Sequence, residues 1–425
     1  MHAADRRQRV GHGAPLGKLD RGAGAASALA GLREEQHGDV HVWTPSRSRL
    51  YAPLMQSDNY GTEQPTAPET GFPAPEDNPW APAGDLIGPG TPGKGPALWL
   101  VALVAFGVGG LLFGQQELAA MVALAGLFVV AQAADLDAGW APVHYLLSWV
   151  VPLGGGAAFT MLGVGILGSD IVPALRPWAV GVSWAGAVVS ASTALRPVSD
   201  TLVRLFFRAP PSHSLRLGAR LTLLGLLFAV PGWFAFRYLL DSLMNEPGPL
   251  LERVSLGGQL IGYVLLALAS VGFMVRRDLA ATLERLGIRP LAREHLAIIA
   301  LGVVALWGLN ASADWLQHTV FPDLWEHDHR MNEAIARGLG PGEVILLGMS
   351  AGIGEELTLR GALQPKLGLL LTSLLFAALH VQYSWFGVGV IFLLGLTLGA
   401  IRDRTSTSVA ICVHAVYDVL AVFSV

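Results

Sequence analysis

Eleven mostly apolar runs follow one another from Ala97 to the end of the chain: residues 97–114, 118–134, 144–168, 177–195, 221–238, 256–275, 294–310, 342–362, 368–383, 386–401 and 406–424. Each is about 16–25 residues long, the length of helix that crosses a bilayer. Within hydrocarbon a backbone must satisfy its own hydrogen bonds, so runs of this kind read as helices. The pattern predicts an all-α fold, a polytopic membrane helical bundle of about eleven transmembrane helices. Glycines and prolines inside the runs (Gly154, Gly155, Gly156, Pro231) are tolerated where neighbouring helices satisfy the freed backbone groups.

Composition agrees. Of 425 residues, 52% are hydrophobic and 14% charged, against roughly 25% charged in soluble domains. That balance excludes a cytosolic enzyme, a disulfide-stapled secreted domain and a disordered protein. A net charge of −4 gives no reason to expect a nucleic-acid partner. The lone cysteine, Cys412, allows no internal disulfide. Lysine occurs only at 18, 94 and 366 among 28 basic residues, which with abundant Ala, Gly and Leu suggests a GC-rich bacterial source. The expected location is the inner (cytoplasmic) membrane, as a multi-pass protein.

Residues 1–95 form a second compositional regime. They are rich in Gly, Pro and charge and lack helical or strand periodicity, so a disordered, solvated, cytoplasmic tail is expected. The first thirty residues carry no apolar segment of the signal-peptide kind. Met55 stands beside Met1 as an alternative start.

Arginines set the orientation. Arg196, Arg204, Arg208, Arg216 and Arg220 lie in segment 196–220; Arg276, Arg277, Arg285, Arg289 and Arg293 lie in 276–293. Two runs separate these segments, so both can be cytoplasmic, as basic loops tend to be. Continued alternation places Lys366, Arg402 and Arg404 inside and the acidic loop 311–341 outside.

The interiors of the first seven runs hold essentially no ionisable side chain. The last four hold Glu355, Glu356, Arg360, His380, His414 and Asp418. Charge near the bilayer centre costs at least a few kcal/mol and needs a reason. Glu356 and Arg360 share a helix face at i,i+4 and can pair, as can His414 and Asp418. Glu355 is turned about 100° away, on the face of Gly348 and Gly352, small residues that admit a neighbouring helix or a substrate. At about 1.5 Å per residue, Glu355 lies roughly 10 Å deep, His414 roughly 12 Å, and His380 and Asp418 roughly 18 Å. Three helices thus bring ionisable groups to overlapping depths.

These residues resemble the motifs of a known family. Glu355-Glu356-Leu-Thr-Leu-Arg360 resembles Glu-Glu-x-x-x-Arg, Phe376-Ala-Ala-Leu-His380 resembles Phe-x-x-x-His, and His414-Ala-Val-Tyr-Asp418 resembles His-x-x-x-Asn/Asp. The family is the CPBP group of intramembrane proteases, which includes the type II CAAX prenyl endopeptidases and Abi-like proteins. The resemblance covers about 343–424 and implies a protease core over 342–424, beside the tail 1–95 and a seven-span region 97–310 of no assigned role. It implies an intramembrane endopeptidase without cofactor or metal, in which Glu355 activates water and His380 holds it. His414 and Asp418 would stabilise the oxyanion, while Glu356, Arg360 and Phe376 support the site. Asp418 stands where Asn is common, and its spacing suits it to orient His414. The implied partners are the lipid bilayer and a membrane-anchored protein or peptide substrate, cleaved for C-terminal processing or sorting; the bacterial composition speaks against a prenylated one. No oligomeric state is implied.

Two alternatives stand beside this reading. His380, His414 and Glu355 could serve a zinc-dependent membrane protease, although no His-Glu-x-x-His helix is present. A non-enzymatic transport or immunity protein would also suit eleven spans, although no internal repeat accompanies them. Of the remaining features, Glu326-His327-Asp328-His329 is expected to be a solvated polar loop rather than a metal cluster. Trp315, Phe321 and Trp325 suit the membrane interface. Gly395 and Gly399 suit helix packing. Amphipathic Thr201–Phe207 suits the inner leaflet surface.

Overall fold

The computed structural model describes residues 95–169, 173–244 and 256–424. Apart from Gly95, the expected N-terminal tail and the alternative start at Met55 lie outside the described residues. Each of the eleven apolar runs is mostly helical, although 144–168 is broken between two helices and 342–362 passes from an α-helix into a π-helical segment, and several polar stretches are helical as well. In chain order the helices are α1 (Gly95–Leu112), α2 (Gln116–Leu136), α3 (Ala141–Leu147), α4 (Val150–Leu167), α5 (Arg176–Ser192), α6 (Arg196–Phe207), α7 (His213–Met244), α8 (Leu256–Val271), α9 (Leu279–Arg285), α10 (Arg293–Val320), α11 (Pro322–Ala336), α12 (Pro341–Glu355), α13 (Gln364–Ala378), α14 (Trp385–Arg404) and α15 (Thr407–Phe423). A π-helical segment, Glu356–Leu363, joins α12 to α13. No sheet forms among the described residues.

Local chemistry explains several boundaries. Ser384 caps α14 by accepting from the Gly387 amide at 3.1 Å, and Ser406 caps α15 through the Val409 amide. These caps satisfy amides that a helix start leaves without a partner. Within α13, Gly368 adopts φ 77°, a left-handed value that glycine reaches without a Cβ penalty. It kinks the chain between two of the expected spans.

Among the described residues, seven stretches are long and apolar enough to cross a bilayer: Gly95–Leu112, Gln116–Leu136, Ala138–Leu167, His213–Phe236, Arg293–Val320, Pro341–Ala378 and Trp385–Arg404. Helices α5 and α6, bent by 101°, form an eighth if taken together, while α8 and α15 are apolar but shorter. The difference from eleven lies in continuity and length. The 38-residue stretch 341–378 contains the expected run 342–362 and most of 368–383, and α8 and α15 have 16 and 17 residues. Outward-facing Val101, Met161, Val188 and Leu301 are 69–73% exposed, a surface suited to lipid rather than water.

The structure corrects two expected loops. Segment 196–220 is α6 followed by the first turns of α7, and 311–341 is the end of α10 followed by α11. Both owe their form to a one-sided apolar stripe beneath a charged surface. On α6, Val203 and Phe207 are buried together with Ala219, Leu359, Leu367, Leu375 and Phe376. On α11, Asp328, Met331 and Ala334 are buried. Arg220 lies within α7, is buried, and donates to the carbonyls of Ser148 and Thr193 at 3.0 Å and to Ser199 Oγ.

Candidate active site

Helices α12, α13 and α15 and the π segment carry every residue of the three motifs except His380, which follows α13. Glycines on α12 set how closely the helices approach. A Cβ on Gly352 would meet the Ala415 amide nitrogen at 2.7 Å, and one on Gly348 the Ala415 carbonyl at 2.7 Å. These positions therefore admit α15, of the two occupants expected there. On another face, a Cβ on Gly354 would lie 2.6 Å from the Tyr263 ring of α8, and Ser350 Oγ donates to the Leu256 carbonyl at 3.1 Å.

Six of the seven motif residues form one connected chain. Asp418 Oδ2 lies 3.4 Å from His414 Nε2, and His414 Nδ1 is hydrogen-bonded to Glu356 Oε1 at 3.0 Å. Glu356 Oε2 faces Arg360 Nε at 3.5 Å, an ion-pair distance at which no hydrogen bond forms. Glu356 and Arg360 are both 0% exposed. The Arg360 guanidinium stacks 4.5 Å over the Phe376 ring and donates to the Gly395 carbonyl at 3.2 Å. Phe376 in turn lies against His380, ring centroids 4.7 Å apart, and edge-on to His414 at 6.0 Å. A Cβ on Gly395 would sit 2.9 Å from Phe376, so α14 supplies the space in which this ring lies.

The two histidines differ in what their nitrogens face. Both nitrogens of His414 face carboxylate oxygens, and an imidazolium is the form that donates to both. His380 Nδ1 lies 2.8 Å from the Phe376 carbonyl. A carbonyl only accepts, so Nδ1 carries the proton and Nε2 keeps its lone pair in the neutral ring.

Glu355 stands apart from the chain of contacts. It is half-buried, and its Oε2 is buried without a hydrogen-bond partner. Its carboxylate lies within electrostatic reach of Tyr263, His414 and Asp418. Adjacent positions thus hold one engaged and one unengaged glutamate. Among the described residues, no three His, Cys, Asp or Glu side chains are arranged to hold a metal ion.

Sequence reasoning missed three contributors. The π segment has no signature in residue spacing; such segments occur often at functional sites. Tyr263 lies in an apolar run and carries no motif. Asp328 belongs to the stretch expected as a solvated loop, yet it is buried on α11. Its neighbours Trp325 and His329 stack on the outer face at 4.7 Å.

Residues 339–420 match the family model for type II CAAX prenyl endopeptidase Rce1-like proteins. The matched segment contains all three motifs, in agreement with the CPBP resemblance. The chain is also similar to the protein named "Uncharacterized protein YpbD" from Bacillus subtilis (strain 168). The two are 27% identical over 164 residues, which is 38% of this chain and 82% of that protein. No solved structure matches the chain.

Proposed function

We propose that the chain is an intramembrane endopeptidase of the glutamic type that cleaves a membrane-anchored protein or peptide. The match of 339–420 supports a membrane protease of the CAAX kind. In our reading Glu355 is the general base. It takes one proton from a water as the water oxygen attacks the scissile carbonyl, while His380 Nε2 accepts the other hydrogen as a hydrogen bond and fixes the water. His414, oriented by Glu356 and Asp418, turns its Nε2–H toward the developing oxyanion. The 3.4 Å separation from Asp418 is loose enough to be exchanged for that stronger contact. Glu355 then returns its proton to the leaving nitrogen as the carbon–nitrogen bond breaks.

The observation that carries this reading is the divergence of the adjacent glutamates. Glu356 is sealed and engaged with His414 and Arg360, whereas Glu355 keeps a buried oxygen with no partner. A carboxylate in a water-poor site beside fixed donors suits a base that must act on one water. We further propose eleven crossings, with 196–220 and 276–293 on the cytoplasmic side of a bacterial inner membrane. In this arrangement α8 and α15 cross as short spans, and Gly368 divides the long 341–378 stretch.

The test compares membrane and secreted proteomes of a deletion strain with those of a strain carrying Glu355→Ala. A shared set of uncut or retained membrane proteins is expected in both, and it names the substrates. No shared change would overturn the proposal.

A further inference from the structure

One buried acid lies outside this scheme. Asp328, on α11, is 6% exposed and accepts three hydrogen bonds from two neighbours. Oδ1 accepts from the Ser384 amide at 2.6 Å, and Oδ2 accepts from Ser384 Oγ and from Gln317 Nε2, both at 2.7 Å. Ser384 is the cap of α14, so the acid holds a helix start in place. Space has been left for it: a Cβ on Gly387 would lie 2.6 Å from Asp328 Oδ2.

The residues on either side of Ser384 are not left to themselves. His327 Nε2 lies 3.2 Å from the Gln382 carbonyl, and Tyr383 donates its hydroxyl to Asn332 Oδ1 at 3.0 Å. Residues 327, 328 and 332 of α11 therefore grip 382, 383 and 384 in succession. Met331 and Ala334 seal the contact with Tyr383 packed against them. The gripped residues end the short connection between α13 and α14, and His380 is its second residue. His380 is tied into the same turn: the Tyr383 amide donates to the His380 carbonyl at 3.3 Å, and the His380 amide to the Ala377 carbonyl at 3.0 Å. Tyr383 also lies within electrostatic reach of Asp418 as well as Asp328.

From this arrangement we infer that α11 is the element that positions His380, with Asp328 as its positioning residue. The helical hydrogen-bond ladder stops before His380, so α13 holds its ring through Phe376 alone, by the Nδ1 contact with the Phe376 carbonyl and the packing of the two rings. The second constraint comes from the far end of the turn. A charge-assisted bond donated to a buried carboxylate is stronger than a neutral one, and three of them on one acid make the turn a fixed frame. The inference rests on the reading of His380 as the group that holds the water.

The test uses the full chain in lipid nanodiscs, with diethyl pyrocarbonate as a probe of His380 and amide exchange across 379–386. Asp328→Asn is expected to raise both rates roughly tenfold, the factor that loss of a hydrogen bond to a charged group gives, with exchange in α12 unchanged. Cleavage of the substrates named by the proteome comparison is expected to fall about 10²-fold in kcat with KM retained, as a misplaced catalytic group requires. Wild-type His380 reactivity and turn exchange in Asp328→Asn would overturn the inference. So would wild-type cleavage by that variant where Glu355→Gln is inactive. If Glu355→Gln and His380→Ala both cleave normally, the protease reading fails, and the two probe rates still decide whether α11 holds the turn. Should Asp328→Asn not fold, Asn332→Ala, which removes only the acceptor of Tyr383, is measured in the same way: raised rates support the inference, and wild-type rates overturn it.

Discussion

Glu355 and Glu356 are neighbours in sequence with opposite surroundings, and the two predict opposite mutational behaviour. Glu356 and Arg360 are completely buried and face each other. Removing one member of such a pair strands the other charge and costs about 3–5 kcal/mol. Arg360→Ala is therefore expected to lower the unfolding free energy by about that amount and to abolish cleavage, read by thermal melts of the reconstituted protein. Arg360→Lys should recover only part of the loss, because an ammonium does not reproduce a guanidinium that stacks on Phe376 and reaches the Gly395 carbonyl. Glu355→Gln removes no hydrogen bond to Oε2, so melting within about 1 kcal/mol of wild type is expected. Much of this was legible in the sequence, because i,i+4 spacing alone joins Glu356 to Arg360 and His414 to Asp418. What spacing leaves open is that His414 spends its other nitrogen on Glu356, a contact across 58 residues.

At the scale of elements, the approach of α12 to α15 places Glu356 on His414. Gly352 has no room for a side chain, since its Cβ would lie 2.7 Å from the Ala415 amide nitrogen, whereas Gly389 in α14 has nothing within 4 Å. Gly352→Val should cost about 1–3 kcal/mol through overpacking and reduce cleavage by pushing His414 away from Glu356. Gly389→Ala should leave both unchanged. Equal melting temperatures for the two variants would contradict this account of the helix contact. The apolar runs announced their helices through length alone. Helices α6 and α11 were harder to read because arginines, histidines and carboxylates cover their exposed faces, and the buried stripe consists of only two or three residues. Asp328 was hidden for a related reason: its burial comes from Gln317 and Ser384, 11 and 56 residues away.

The whole molecule joins regions that the sequence presents as separate. Phe207 of α6 and Ala219 of α7 share a core with Leu359 and Phe376, and α8 supplies Tyr263 beside Gly354. The segment 339–425 expressed alone is therefore expected to lack a cooperative melt, and co-expression with 95–338 to restore it. A cooperative melt of the short segment would show that the earlier helices are dispensable for folding. Because a carboxylate rather than a metal activates the water in our reading, strong chelators are expected to leave turnover unchanged. Loss of activity that added zinc restores would contradict that mechanism. The most direct measurement is the cleavage rate of the Glu355→Gln protein, purified and reconstituted in lipid, on a substrate named by the proteome comparison. A positioned general base contributes about 10²–10⁴-fold, so the predicted result is a rate lower by at least about 10²-fold in a protein that melts as the wild type does. A wild-type rate from that variant would contradict the assignment of Glu355 as the base.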